Sequence, residues 1–307
     1  MKKIFIIFCA VISVFNLMAQ KDESRWDNGL PKAGDMAIGV NFNPVATSKS
    51  VRNITSPGNF VGDKIVELNN KDSYPDQMFF LAQDPMVSLQ FKYMLNDHSA
   101  FKVRAGFSGA VLNYREYVRN DAAFALDELT QEVVTDLVRC QFTNGGVTLG
   151  MEFSKGNRLR FVGGFGLVYA FGGGNMNYFY GNAMNAYNPQ PSTMSKVDDK
   201  LNEFQGNAAI SYARPIKQYT SGICHAVGIN GDLGVEWFFI PKVSLGAELS
   251  IVPIMVAFQP QTYVNYEGVN RFTGNVQEFS NLISEGSTYL LYGTNNISLN
   301  ISLHLYF

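Results

Sequence analysis

Residues 295–307 read NNISLNISLHLYF. Ile297, Leu299, Ile301, Leu303, Leu305 and Phe307 take every second position, and Ser298, Asn300, Ser302, His304 and Tyr306 stand between them. A repeat of two marks a β-strand with one apolar and one polar face. The chain ends on an aromatic at the end of that strand.

Working back from it, the same alternation recurs in seven earlier stretches. They cover residues 34–43, 86–95, 101–111, 142–153, 159–171, 225–238 and 243–252. Leu159, Phe161, Phe165, Leu167, Tyr169 and Phe171 are one apolar face, and Val227, Ile229, Leu233, Val235 and Trp237 another. Together with the last strand they make eight. The connections alternate in length. Residues 96–99, 154–158 and 239–242 are tight, whereas 44–85, 114–140, 173–224 and 257–292 are long. Short turns at one end and long loops at the other, with an even strand count, are the pattern of a transmembrane β-barrel. The expected fold is therefore all-β, an eight-stranded antiparallel up-and-down transmembrane barrel with long extracellular loops. Ten strands is the alternative, if 208–213 and another loop segment also enter the wall. Within 121–138, Leu126, Leu129, Val133 and Leu137 have helical spacing behind an Asn120 or Asp121 cap. The β-branched run Val133, Val134, Thr135 and Val138 instead favours an extended hairpin above the membrane. Gly172, Gly173 and Gly174 read as a strand exit, and Pro253 as the start of another.

In such a barrel the apolar face meets lipid and the other face fills the lumen. The inward positions then hold Lys92, Lys102, Arg104 and Arg160 with Glu152, Asp232, Glu236 and Glu248, four charges of each sign. Eight strands leave an interior only wide enough for side chains, and an unpaired buried charge is costly. These eight residues are expected to form a lumen ion-pair network. Inward glycines such as Gly39, Gly150 and Gly166 make room for them. Phe101, Phe153, Trp237 and Phe307 at one rim, and Phe42, Tyr169 and Phe171 at the other, fit interfacial girdles.

Composition agrees. Gly 28, Phe 24 and Tyr 15, with 16% charged residues, suit a barrel better than a helical enzyme or a disordered chain. Residues 1–19 have a basic start at Lys2 and Lys3, an apolar run too short to span, and Ala19 at a cleavage site: a secretory signal peptide. Residues 20–32 form a periplasmic lead-in, and 33–307 the barrel. Without Lys2 and Lys3 the chain has 22 basic and 26 acidic residues, which gives no reason to expect nucleic acid. Cys140 and Cys224, at the outer ends of two strands, are a candidate loop disulfide in an oxidising envelope. One strand lies between them, so a bridge within the wall would have to span about 10 Å, which is too far.

Little points to chemistry. His98 lies in a turn, His304 faces the lumen, and His225 sits near the outer rim without a Ser or acid at a spacing that would meet it on one strand face. Asp198-Asp199 is a solvated pair, the three glycines lack a following Lys-Ser/Thr, and no cluster has metal-ligand spacing. No cofactor, metal or catalytic residue is expected.

The residues 32–39 (KAGDMAIG), 155–160 (KGNRLR), 235–246 (VEWFFIPKVSLG) and the closing LYF resemble the small outer-membrane barrel proteins of Bacteroidota, which are like the OmpA transmembrane domain in architecture. The resemblance implies an outer-membrane location after export, and outer-membrane lipid and lipopolysaccharide as surroundings. It also implies that the barrel-assembly machinery handles the terminal strand, Ile297 to Phe307. It implies no reaction. The expected function is a structural or interaction barrel whose loops recognise an unknown surface or envelope protein, with a narrow or gated channel as the alternative and a lipid-modifying enzyme behind both.

Overall fold

The computed structural model describes residues 30–43, 87–194, 209–294 and 297–307. The signal peptide, most of the lead-in, the 44–85 loop, Asp198-Asp199, Asn295 and Asn296 lie outside them. The strands are β1 (Met36–Phe42), β2 (Val87–Asn96), β3 (Ser99–Arg119), β4 (Val133–Gly156), β5 (Leu159–Phe179), β6 (Ile210–Thr220), β7 (Cys224–Ile240), β8 (Val243–Gln259), β9 (Thr262–Asn270), β10 (Val276–Ser284), β11 (Ser287–Tyr292) and β12 (Ile297–Tyr306). One short helix, α1 (Asp121–Leu126), lies between β3 and β4.

Eight of these strands close a ring, β1-β2-β3-β4-β5-β7-β8-β12, antiparallel at every step. β12 closes it against β1, with Val40 opposite Leu303 and Ala37 opposite Tyr306. Past the last strand residue, Met36 and Phe307 exchange two backbone hydrogen bonds of 2.9 and 2.8 Å. The ring leaves no unpaired edge, which is how a sheet can sit in hydrocarbon. Along β12 the side chains alternate strictly between exposed and buried. The exposed ones are Ile, Leu, Ile, Leu and Leu, and the buried ones are Ser298, Asn300, Ser302, His304 and Tyr306. This polarity is the reverse of a soluble barrel, and it makes the ring a transmembrane one.

The strands outrun the membrane. From Leu159 to Phe171, β5 rises roughly 40 Å along its own axis, or about 30 Å along the barrel at a tilt near 40°. That matches a hydrocarbon core of about 30 Å. β4 has 24 residues, so roughly half of it stands above the apolar belt. The extended hairpin that the run Val133, Val134, Thr135 and Val138 favours is present. The 114–140 connection is the upper part of the β3–β4 hairpin, paired from Leu112 opposite Cys140 to Arg119 opposite Val133. Its tip carries α1, capped by the Asn120 side chain, which accepts from Ala123 N at 3.2 Å. Leu126 and Leu129 are 92% and 88% exposed, so the helical spacing has no core to face. Gly172, Gly173 and Gly174 are not an exit: they run inside β5, paired with Asn144, Thr143 and Phe142. Pro253 does not end β8 either. It falls between the segment of β8 that pairs β12, up to Ile251, and the segment that pairs β11, from Ile254. The missing N–H therefore costs no ladder bond.

The candidate extra strand near 208–213 exists as β6, but it stays out of the ring. β6 pairs the top of β5 and then β9, and β9 pairs β10. The ten-strand alternative is thus not realised. The added strands build an extracellular sheet.

Candidate functional site

Two regions gather polar side chains: the lumen near its periplasmic end and the extracellular half of the wall.

The lumen holds all eight of the charged residues singled out from the alternation, each between 1% and 4% exposed. Register brings seven of them into one cluster. Lys92 Nζ lies 2.7 Å from Glu152 and 3.5 Å from Glu236. Lys102 Nζ touches three carboxylates, Asp232 at 2.9 Å, Glu248 at 3.2 Å and Glu152 at 3.3 Å. Arg104 Nη2 reaches Glu248 at 2.7 Å. Arg160 stands at the periplasmic edge. It donates to the Asp97 carbonyl at 3.3 Å, and its guanidinium lies 5.3 Å from the centre of the Phe238 ring. The ions come from β2, β3, β4, β7 and β8, so the pairs cross the lumen rather than run along one strand.

Neutral partners complete the cluster. Glu236 Oε1 accepts from Ser244 at 2.6 Å and Tyr306 at 2.8 Å, and lies 3.1 Å from His304 Nδ1. Asp232 accepts from Ser250 at 2.5 Å, and Ser250 accepts from Asn300 at 3.1 Å. The sequence reading missed Ser244, Ser250 and Tyr306 as members. The signal was present: Ser244 and Ser250 share the parity of Glu248 on β8, and Tyr306 that of His304 on β12. Below the cluster, Ala37, Met94, Ala100, Phe238 and Tyr306 pack as an apolar floor. Gly39 is required here because the His304 ring lies against it, where any Cβ would collide.

Beside the charges, Asn41 of β1, Ser88 and Gln90 of β2, and Ser298, Asn300 and Ser302 of β12 are buried, uncharged polar groups on the lumen face. Asn41 donates to Gln90 at 2.7 Å. Asn41 Oδ1, Gln90 Nε2, Ser298 Oγ, Ser302 Oγ and His304 Nε2 are buried with no hydrogen-bond partner among the described residues.

The extracellular half is held by two aspartates. Asp136 is fully buried and accepts from Gly181 N at 2.8 Å and Met194 N at 3.0 Å. This fastens residues 181–194 over an apolar cluster of Val118, Val138, Cys140, Met176, Tyr178 and Met194. Burial pushes the Asp136 carboxyl above the ordinary range, against the pull of those two N–H groups and of Arg214. Asp121 accepts from Ser192 N at 2.6 Å and Asn188 at 3.0 Å, and pairs with Arg119 at 3.2 Å. Burial opposes its charge, but these bonds hold its carboxyl below the ordinary range. Arg214, buried on β6, pairs with Glu267 at 2.6 Å and lies 4.0 Å from the Tyr180 ring centre.

The candidate disulfide is absent. Cys140 and Cys224 are both buried and are not joined to each other. They sit in different apolar clusters, Cys224 with Val168, Ala170, Ala226, Val252, Met255 and Ala257. On β5 they face Met176 and Gly172, four residues apart, so their offset along the wall adds to the width of the intervening strand. His225 points outward at the outer aromatic belt, with Nδ1 2.6 Å from the Tyr169 hydroxyl and its ring stacked on Tyr169. Among the described residues no three His, Cys, Asp or Glu side chains are grouped to hold a metal.

No family model and no curated protein matches the chain. Solved structures similar to it include the outer membrane protein OprG from Pseudomonas aeruginosa. That match has 12% identity, covers 92% of this chain and 99% of that one, and has a TM-score of 0.36. Ail, the attachment invasion locus protein of Yersinia pestis, matches at 10% identity over 90% and 99%, with a TM-score of 0.31. A major outer membrane protein from Thermus thermophilus matches at 10% over 90% and 100%, with a TM-score of 0.30.

Proposed function

We propose that the protein is an outer-membrane barrel of structural or interaction type. Its lumen is plugged by the buried ion-pair network, and its long strands raise an extracellular platform that carries recognition. The observation behind the plug is the position of Lys102, whose ammonium lies within 3.3 Å of carboxylates from β4, β7 and β8 at once. Ions tied across an eight-stranded lumen occupy the space a solute would need. The platform reading rests on the upper halves of β3, β4 and β5 together with β6, β9 and β10, fastened by Asp121 and Asp136. Such a surface suits a protein partner of the envelope or of another cell. The outward alternation from Ile297 to Phe307 is the element the barrel-assembly machinery would recognise during insertion. The reading includes no reaction: His225 is engaged by a tyrosine at the lipid belt, an arrangement that supplies no acid–base pair for hydrolysis.

Liposomes carrying the folded protein test the plug. They are expected to exclude small sugars as well as protein-free vesicles do. Swelling that rises with protein content would contradict it. A narrow or gated channel remains the second reading, favoured by the unpartnered polar atoms on β1, β2 and β12. Buried groups of that kind bind water, and a hydrated file beside the ion pairs would carry small ions when the pairs rearrange. Ion flux without sugar flux distinguishes it.

A further inference from the structure

On the outer surface of the wall, just above the aromatic belt, we infer a seat for the phosphorylated headgroup of an outer-leaflet glycolipid. The inference rests on the outer-membrane reading but not on the closed lumen.

The strand registers set out the surface in rows. The row at the top of the lipid-facing alternation runs Phe107, Gly145, Phe171 and His225 across β3, β4, β5 and β7. The next outward row is small, Gly109, Thr143 and Gly173. Val111, Gln141, Asn175 and Tyr219 follow, and then Asn113, Arg139, Asn177 and Lys217 across β3, β4, β5 and β6. Belt, small residues, amides and cations succeed one another on a single face, continuous with the lipid-facing wall below.

The small row leaves a groove of about 750 Å³, which reaches from Phe171 up to Lys217 and Tyr219. Lys217 lines its upper end, with Nζ 4.9 Å from the Tyr219 ring centre, and Arg139 stands beside it in the same row, donating through Nε to Asn113 at 3.1 Å with its guanidinium 5.6 Å from the Phe179 ring centre. They are two strands apart, roughly 10 Å. The carboxylates of the neighbouring hairpin, Glu116 and Asp136, are opposite one another on the other face of the sheet. The groove therefore has an apolar, aromatic foot and a cationic head, the polarity of an anionic lipid standing in its leaflet.

Height selects the lipid class. The cation row is six residues beyond the Phe171 row on β5, roughly 15 Å along the barrel axis. A phospholipid headgroup layer extends only about 5–8 Å beyond the hydrocarbon. A sugar headgroup bearing phosphate spans the larger distance, with Arg139 and Lys217 bending down to meet it.

The test uses the full mature chain in nanodiscs of zwitterionic phospholipid, with a phosphorylated diglucosamine lipid or its dephosphorylated form as the probe and native mass spectrometry as the readout. A cation near a membrane surface contributes about 1 kcal/mol, or about fivefold in affinity. R139Q/K217Q is therefore expected to weaken binding of the phosphorylated form roughly thirtyfold, to the level of the dephosphorylated form. Gly173→Phe is expected to weaken it too by filling the groove. A Cβ at Gly173 would meet nothing nearer than Ile223 Cα at 3.9 Å, so the backbone there accepts a side chain and this variant is independent of the double one. Heat-modifiable migration reports folding in each case. Equal binding of the two lipid forms, an unchanged affinity in either folded variant, or equal displacement by phosphatidylglycerol or inorganic phosphate would overturn the proposal. Solute-tight liposomes in the same preparations keep the fate of the lumen reading separate.

Discussion

Replacing Lys102 by Met should be among the most damaging single changes in the lumen. The ammonium sits 2.9, 3.2 and 3.3 Å from Asp232, Glu248 and Glu152. At an effective dielectric near 20, each contact of about 3 Å is an attraction of roughly 5 kcal/mol. Desolvation of the ions and repulsion among the three carboxylates offset most of that sum. What remains on removal is the cost of leaving buried carboxylates short of a partner, about 3–5 kcal/mol. Glu248 keeps Arg104 and Glu152 keeps Lys92, whereas Asp232 is left with Ser250. The loss should therefore fall mainly on Asp232, and Asp232→Asn should rescue part of it. Urea unfolding in phospholipid vesicles, followed by heat-modifiable migration, measures both variants and their combination. The double-mutant cycle is expected to give a coupling of about 1.5–3 kcal/mol. A loss below about 1 kcal/mol for Lys102→Met, with no coupling to Asp232, would refute the reasoning, because it would mean that the groups are hydrated rather than buried together.

Other consequences follow from separate parts of the wall. Gly166→Ala should destabilise by about 1–3 kcal/mol, because its Cβ would lie 2.5 Å from Leu149 O and 2.9 Å from Gly150 Cα, whereas Gly173→Ala in open space should change stability by less than about 0.5 kcal/mol; paired urea titrations compare them. Deleting Phe307 removes the two backbone hydrogen bonds that it exchanges with Met36 and should cost about 2 kcal/mol at the barrel seam, read as a lower urea midpoint. Asp121 has a carboxyl held below the ordinary range, so its contribution is complete above the unfolded carboxylate pKa and is lost as pH falls through the lower folded value. Hydrogen exchange of residues 182–194 should therefore stay slow from neutral pH into the mildly acidic range and speed up in strong acid, while Asp121→Asn should speed it at every pH.

The membrane ring was legible because its rule is local. In β12 each residue's face follows from its parity, and one observation, polar inside and apolar outside, orders every other strand. The lumen charges were legible for the same reason, since Lys102 and Glu248 occupy inward parities on strands bounded by short turns. The extracellular strands were harder to see because the physical contrast disappears above the lipid. There both faces carry polar residues, as with Asn113, Arg115 and Glu116 on β3, and alternation no longer separates strand from loop. Gly172, Gly173 and Gly174 misled for a related reason. They look like a break, yet the long β4 ladder supplies the pairing that their own composition does not. Pro253 sits in a strand because it falls between two partners, a fact set by where β12 ends and β11 begins rather than by anything near Pro253. The thiols follow from register too: Cys140 of β4 and Cys224 of β7 look like strand ends in sequence but pair with β5 at different heights, opposite Met176 and Gly172.

Single-channel recording in planar bilayers tests the closed lumen most directly. Wild-type protein should insert and give no steady conductance, because Lys92, Lys102 and Arg104 are tied to carboxylates across the bore. A steady open level in the wild-type protein, abolished by changing Arg104 or Glu248, would contradict the plug and make the lumen a channel.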